Sequence, residues 1–450
     1  MSETSLITEL AAQLGTEPIP DEIYSVVKGC LLDYIGVAIA GSHELKDKLG
    51  AFLSALSDEA DSAPVIGMQA SASMENAALL NGFSAHYFDL DDGSRFGMIH
   101  LGAPIFSALL SLCKPYKIEP KLFLRAALVG YETTLRLAMA IQPGHKKRGY
   151  HATGTCGCIG AAAAAAVAMG LDEKGISNTI AAAAASASGL LEMQEDVSQL
   201  KPFNAGKAAQ NAIVAALIAS SGFVGPNDPI GGKRGFATVM ADEFKAESFD
   251  RSGSNKYAIL GIYKKPYASC RHCHSAVEAA LTLRESISDP DDIGSIAVNT
   301  YGLAVFGHDH TDIQSIGSAK MSIPYSVAAA IVLGSGGIEA MSGNAVKNER
   351  ILALTKLVEV KEDPEFSSFV PKKRIAQIVI KLRSGETLSE KVVYPKGEPE
   401  NPMSEDELEL KFRQLAAHAG KDADYCDRMV KCIGSLERDP DAFSTMINML

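Results

Sequence analysis

Five segments between residues 86 and 274 place imidazoles, carboxylates, ammonium groups and a thiol beside turn and helix-end signals. In His86-Tyr87-Phe88-Asp89-Leu90-Asp91-Asp92, helical spacing puts His86, Asp89 and Asp92 on one face. Carboxylates that close repel, so one of them is expected to keep its proton near neutral pH and to serve as acid or base. The alternative is a solvated helix C-terminus, although acids are disfavoured at that end of a helix. His100 directly precedes Gly-Ala-Pro104, and His151 precedes Ala-Thr153-Gly-Thr155 and an alanine-rich run, with Thr153 or Thr155 as the expected N-cap. A helix start offers free N–H groups that attract carboxylates and favour neutral imidazole. Lys201 stands before Pro202, which predicts an extended Lys201 with Asn204 capping the next helix. The last segment, Lys264-Lys265-Pro266-Tyr267-Ala268-Ser269-Cys270-Arg271-His272-Cys273-His274, adds cations, two histidines and two thiols.

Together these groups suit holding an anion while moving a proton. Removing a proton beside a carboxylate builds negative charge, and Lys201, Lys265 and Arg271 are the side chains to meet it. His151 or Asp89 would take the carbon-bound proton, and His100 would protonate a leaving hydroxyl. Taken singly, each histidine reads equally as a buried structural group and each lysine as a surface residue. Cys156-x-Cys158 and Cys270-x-x-Cys273, flanked by His272 and His274, suggest a metal, but no second CxxC lies at finger or ribbon spacing, and small residues at a helix start serve packing. No metal is expected.

The elements that must position these segments follow from periodicity. Apolar spacing predicts helices from Pro20-Asp21 onward and over 74–88, 104–114, 122–140, 157–169, 176–191 and 205–221, with Gly or Pro between them. The runs Ala161–Ala166 and Ala181–Ala185 suit closely packed helices. After Lys265 β-branched clusters predict strands over 293–301 and 375–382, then a tight hairpin over 382–388 and a strand ending at Val393, with helices over 274–288 and 323–333 between. From Pro402 the pattern is helical again, opened by the capping-box signal Ser404-Glu405-Asp406-Glu407. The expected fold is mainly α: a helical domain made of residues 1–262 and 398–450, and a smaller α+β lid of residues 263–397.

Composition bounds the partners. With 450 residues, 47% of them hydrophobic, the chain can bury a large core. A net charge of −12 argues against nucleic acid and anionic membrane surfaces, while the islands His145-Lys146-Lys147-Arg148 and Lys264-Lys265 with Arg271 could draw in a small anion. The longest apolar run, 158–171, falls short of a membrane span, and 2–20 carry no secretory pattern. Eight cysteines fit a reducing compartment, so a cytoplasmic protein is expected.

Read together, Asn81-Gly82 through Asp92, Gly149 through Thr155, Lys201 through Asn211, Lys265 through His274 and Ser322-Ile323-Pro324-Tyr325 resemble the MmgE/PrpD family over essentially the whole chain. The resemblance implies a homodimer with an active site between the two domains and no metal or organic cofactor. It places Asp89, His100, His151, Lys201 and Lys265 on active-site positions, with Cys270 where some members carry histidine and Gly93 where the decarboxylases carry threonine. Further substrate contacts are expected from His86, Asp92, Thr153, Arg271, His272 and His274. The implied activity is that of a lyase on a small di- or tricarboxylate, foremost dehydration of a 2-methylcitrate-like hydroxy acid. A cis-aconitate-type decarboxylase or an iminodisuccinate-type epimerase would use the same groups. A catalytically silent carboxylate-binding protein is the reading from outside enzymology.

Overall fold

The computed structural model describes residues 2–56, 60, 62–194 and 198–450. The chain is mainly helical. The helix Asp21–Leu56 runs through the centre, and its apolar stretch is long enough to cross a bilayer but 83% buried inside the fold. Around it stand Glu3–Thr16, Met74–His86, Gly102–Tyr116, Pro120–Ile141, Ala152–Ala168, Glu173–Ser186 and Lys201–Ser220. A two-residue ribbon, β1 (Ala63–Pro64) against β2 (Ser71–Ala72), precedes Met74–His86. Beyond the α+β segment, Glu405–His418 returns to pack on Asp21–Leu56. Its buried Phe412 and Leu415 lie against Gly36, each worth roughly 1.5–3 kcal/mol of apolar burial. The capping box at Ser404 and Glu407 forms as the sequence predicts.

Small residues set the crossings that converge on the site. Ala161 to Ala166 are fully buried in the alanine helix, and Ala164 meets Gly130 of the neighbouring Pro120–Ile141 helix. A Cβ on Gly82 would stand 2.8 Å from the Gly206 Cα, so the Met74–His86 and Lys201–Ser220 helices touch backbone to backbone. That contact brings the end of one helix, His86, toward the start of the other, Lys201.

In the α+β region four strands are ordered β4–β3–β5–β6: β3 (Ile293–Thr300), β4 (Val358–Glu362), β5 (Ala376–Leu382) and β6 (Thr387–Val392). β3 runs parallel to β4 and antiparallel to β5, aligning Ile296 with Val358 and Ile380, and Val298 with Val360 and Ile378. The buried face of β3 alternates Ile296, Val298 and Thr300, and the helix His274–Arg284 packs on the sheet. The hairpin 382–388 forms, with Gly385 at φ 94°. The edge strand β4 had no signal in sequence, because Val358-Glu-Val-Lys-Glu is short and charged on one face.

Three helix expectations shift, each at the site. Glu173–Ser186 ends before Leu191, and 187–190 double back so that the His151 N–H donates to the Gly189 carbonyl at 3.0 Å. The helix predicted from 205 starts at Lys201, so Lys201 is helical rather than extended and Asn204 caps nothing. The alanine helix starts at Ala152 with His151 in the N-cap position, and neither Thr153 nor Thr155 caps it through its side chain.

Candidate active site

Three aspartates follow the Met74–His86 helix, each with a different role. Asp89 adopts the left-handed backbone (φ 53°), a strained conformation that short polar residues tolerate best. It turns both its carbonyl and its carboxylate to Lys265, whose Nζ donates to Asp89 O at 2.6 Å and Oδ1 at 2.9 Å. Lys201 Nζ lies 2.8 Å from the other oxygen, Oδ2. Burial alone would raise its pKa, but Lys201 and Lys265, helped by His100 and His86, hold the Asp89 carboxyl well below the usual range. Asp89 is therefore an ionised anchor and a poor base, contrary to expectation. Asp91 takes His86 Nδ1 at 2.9 Å and lies 3.4 Å from His100 Nδ1. Here too burial opposes ionisation, and His100 and His86 overcome it.

Asp92 turns away. Its Oδ1 accepts from the N–H groups of Gly102 (2.8 Å) and Leu101 (3.4 Å), and Oδ2 accepts from the Tyr131 hydroxyl at 2.5 Å. Burial pushes its pKa up to about 6, so Asp92 is the carboxyl of the three that takes up a proton most readily, though it is largely ionised at neutral pH, and it caps the helix behind His100 rather than meeting substrate. Thr153 is likewise corrected: fully buried, its Oγ1 accepts the His100 N–H at 3.1 Å.

Three imidazoles converge over these carboxylates. The His86 ring centroid lies 4.7 Å from that of His100 and 5.8 Å from that of His151. His100 Nε2 is 3.3 Å from Asp89 Oδ1. The Asn204 amide nitrogen donates to His151 Nδ1 at 3.1 Å and to the Leu190 carbonyl at 3.2 Å. A nitrogen that serves a carbonyl presents N–H, so the neutral His151 ring carries its hydrogen on Nε2. Burial first, then His86 and Lys201, hold the His151 pKa well below its ordinary value, so the ring is uncharged at neutral pH and its Nε2–H is a proton donor. His86 is the converse: Nδ1–H faces the Asp91 carboxylate, and Nε2 is a buried lone pair without a hydrogen-bond partner. Burial lowers its pKa against the pull of Asp91.

Across from this cluster lies the segment 265–274. Lys265 is wholly buried and joins Asp89. Arg271 does not serve as a substrate cation: Nε and Nη2 bind Glu398 at 3.1 and 2.9 Å, and Nη1 reaches His274 Nδ1 at 2.7 Å. His274, also fully buried, contacts the Ser269 carbonyl at 3.2 Å through Nε2, so both residues brace the segment. His272 Nδ1 bonds the Tyr301 hydroxyl at 2.7 Å, and its ring lies 5.1 Å from that of His308. The Cys270 thiol, despite burial, is drawn down to about 6, chiefly by His308.

Several site residues escaped the sequence reading. Asp91 lay within a recognised run, and Asn204 was taken for a cap. Lys146 stood in a basic island, whereas His308, Lys320 and Arg374 sit outside every motif. Lys320 Nζ donates to the Tyr87 carbonyl at 2.6 Å over the rings of Tyr87 and Phe88, and burial drops its pKa to about 7. Gly93 is explained by Tyr263: a Cβ at 93 would stand 2.5 Å from the Tyr263 hydroxyl and 2.6 Å from the Ile99 carbonyl, so a threonine has no room.

Among the described residues one group could gather round a metal ion: His86, Asp89, Asp91 and His100, with ligand atoms within 4.8 Å of one another. Lys201 and Lys265 already bring positive charge to both Asp89 oxygens, where a cation would be repelled. Asp89, His151 and Lys265 are nearly inaccessible, while the side chains of His100 and Lys201 keep 12% and 18% of their exposure and mark the way in.

Comparison with known proteins places the chain in a family. The MmgE/PrpD N-terminal domain matches residues 5–248 and the MmgE/PrpD C-terminal domain residues 267–433. The cis-aconitate decarboxylase-like protein oryM of Aspergillus oryzae is 26% identical over 97% of this chain and 95% of its own length. Human cis-aconitate decarboxylase is 25% identical over 80% of this chain and 76% of its own. The 2-methylcitrate dehydratase of Escherichia coli is 29% identical, over 44% of this chain and 43% of its own. Matched by both halves of the family, the chain belongs to the MmgE/PrpD family.

Proposed function

We propose that this protein is a lyase of small di- or tricarboxylates, and that it decarboxylates a cis-aconitate-like substrate by delivering a proton to carbon. The observation that carries the reading is the tautomer of His151, an uncharged ring with its hydrogen on the nitrogen not held by Asn204. In the reaction one carboxylate leaves as carbon dioxide, its bonding electrons shift through the adjacent double bond, and the far carbon takes the proton from His151 Nε2, leaving an imidazolate that the nearby Lys201 ammonium stabilises until solvent returns the proton. Lys201 and Lys265, fixed by Asp89, stabilise the negative charge in transit. The relatives that match most of the chain's length and are named decarboxylases support it.

Dehydration of a 2-methylcitrate-like hydroxy acid is the second reading. It needs a base, and the free lone pair of His86 Nε2 supplies one better than Asp89 or His151. Incubation with citrate, methylcitrate, aconitate and iminodisuccinate in deuterated water separates the cases by NMR. Decarboxylation gives carbon dioxide and one solvent deuterium in the product. Release of water alone, or deuterium at an inverted carbon, would overturn it in favour of dehydration or epimerisation, and tight binding with no exchange would leave a silent binding protein.

The reading includes a homodimer in the cytoplasm. Phe203, Val214, Ile218, Phe223 and Val224 form an exposed apolar stripe on and beyond the Lys201–Ser220 helix, and all eight cysteines are free thiols. A monomeric mass by light scattering would refute the dimer.

A further inference from the structure

Apart from the Asp89 cluster, three hydrogen-bonding groups inside the site, Arg374, Lys146 and Tyr263, have no partner among the described residues, and they stand beside a Cys270–His308 pair. The Arg374 side chain, 8% exposed, donates to no protein acceptor and pairs with no carboxylate among the described residues. Lys146 Nζ likewise makes no ion pair or hydrogen bond there. His308 gives its Nδ1 hydrogen to the Phe306 carbonyl at 2.8 Å and turns its other nitrogen to Cys270, with which it forms a charge pair. The Tyr263 hydroxyl, held over Gly93 by paired backbone hydrogen bonds, is unpartnered as well. Lys146 and Arg374 act electrostatically on each other and on Cys270, Tyr263 acts on Arg374, and His308 acts on Cys270 and His272. These groups therefore share one space, reached from a short helix, Gly144–Lys147, on one side and from the approach to β5 on the other.

Leaving a buried guanidinium unbonded is costly in a folded protein, and it is found where a ligand completes the bonding. On the opposite side the ammonium groups of Lys201 and Lys265 share the Asp89 carboxylate, and Asp91 answers His86 and His100. The surplus charge available to an incoming anion thus sits on Lys146 and Arg374.

We propose that Lys146, Arg374 and Tyr263, beside the Cys270–His308 pair, form a second anion subsite, which takes the carboxylate remote from the reacting bond and so selects tricarboxylates over dicarboxylates. This deepens the carboxylate-lyase reading and rests on its substrate class, not on which bond breaks. A planar carboxylate matches a guanidinium in bidentate fashion, with the ammonium as a point charge and the phenol as a third donor.

Calorimetry on the intact protein with an unreactive saturated tricarboxylate, propane-1,2,3-tricarboxylate, and with glutarate tests it. The expected wild-type preference for the tricarboxylate is roughly tenfold or more. Arg374→Gln and Lys146→Met should each abolish most of that preference while leaving glutarate binding within about twofold, and Lys147→Met, on the exposed neighbour, should keep it. Melting temperatures establish that each variant is folded, and Arg374→Lys, which keeps the charge, replaces Arg374→Gln if that one fails. Variants that retain the preference, or a wild type that binds both ligands equally, would overturn the subsite and leave the lyase reading standing. A wild type that binds neither would overturn both, unlike product analysis, which bears on the reaction alone.

Discussion

On the Asp89 side of the site Lys201 and Lys265 are both ion-paired to one carboxylate, and the groups hang from the ends of long helices whose crossings are fixed by glycine and alanine. On the Cys270 side the cations Lys146 and Arg374 feel Cys270 and Glu398 at a distance but make no ion pair among the described residues, and they project from a four-residue helix and an irregular stretch before a strand. Pairing makes the first side rigid and self-sufficient, as proton transfer demands of groups that must hold fixed positions. Lack of pairing makes the second an unfilled demand, met when an anion arrives. Stability and recognition are thus assigned to opposite walls of one site.

Substitutions on the two walls should break or sharpen that contrast. The largest effect is expected for His151→Ala, which removes the proton donor without touching an ion pair: turnover should fall about 10²- to 10⁴-fold, with an unchanged circular dichroism spectrum and melting temperature. Full activity in that variant would disqualify His151. Asp89→Asn leaves two ammonium groups facing each other beside a neutral amide, and chemical denaturation should show a loss of about 3–5 kcal/mol. Lys146→Met on the other wall should cost nothing or add up to about 1 kcal/mol, since burial already disfavours its charge. Equal losses from the two substitutions would erase the distinction. Gly82→Ala, which forces the two helices apart at Gly206, should cost about 1–3 kcal/mol and lower activity by shifting Lys201 relative to His86.

The smallest effect is a pH dependence on the paired side. The pKa of Asp92 is raised from 3.8 to about 6, first by burial and against the Tyr131 hydrogen bond. Stability from its protonated form is complete below about pH 4 and is lost as pH rises through about 6. Asp92→Asn should flatten that part of the stability profile, and an unchanged slope between pH 4 and 7 in urea titrations would show that Asp92 does not cause it.

How much of this was legible in the sequence divides along the same line. Helix periods, the capping box at Ser404 and the hairpin at Gly385 are local signals, and they predict their elements well. Asp89, His100, His151, Lys201, Lys265 and Cys270 stood beside turns and prolines or on matching family positions, and the fold brings them together. The sequence could not show that Asp92 and Arg271 would spend their bonding on Tyr131, Gly102 and Glu398, because those partners lie up to 127 positions away. Nor could it reveal Arg374, whose significance lies in what it fails to bond. Absence of a partner is a property of three-dimensional surroundings and leaves no trace in spacing.

The strand of chain entering the α+β region and the one leaving it run side by side, the Lys264 N–H donating to the Gly397 carbonyl at 3.0 Å while Tyr263 pairs with Gly93. Lys265, the very next residue, is thereby fastened to both passages of the chain, so the ion pair with Asp89 is set by where that double thread lies.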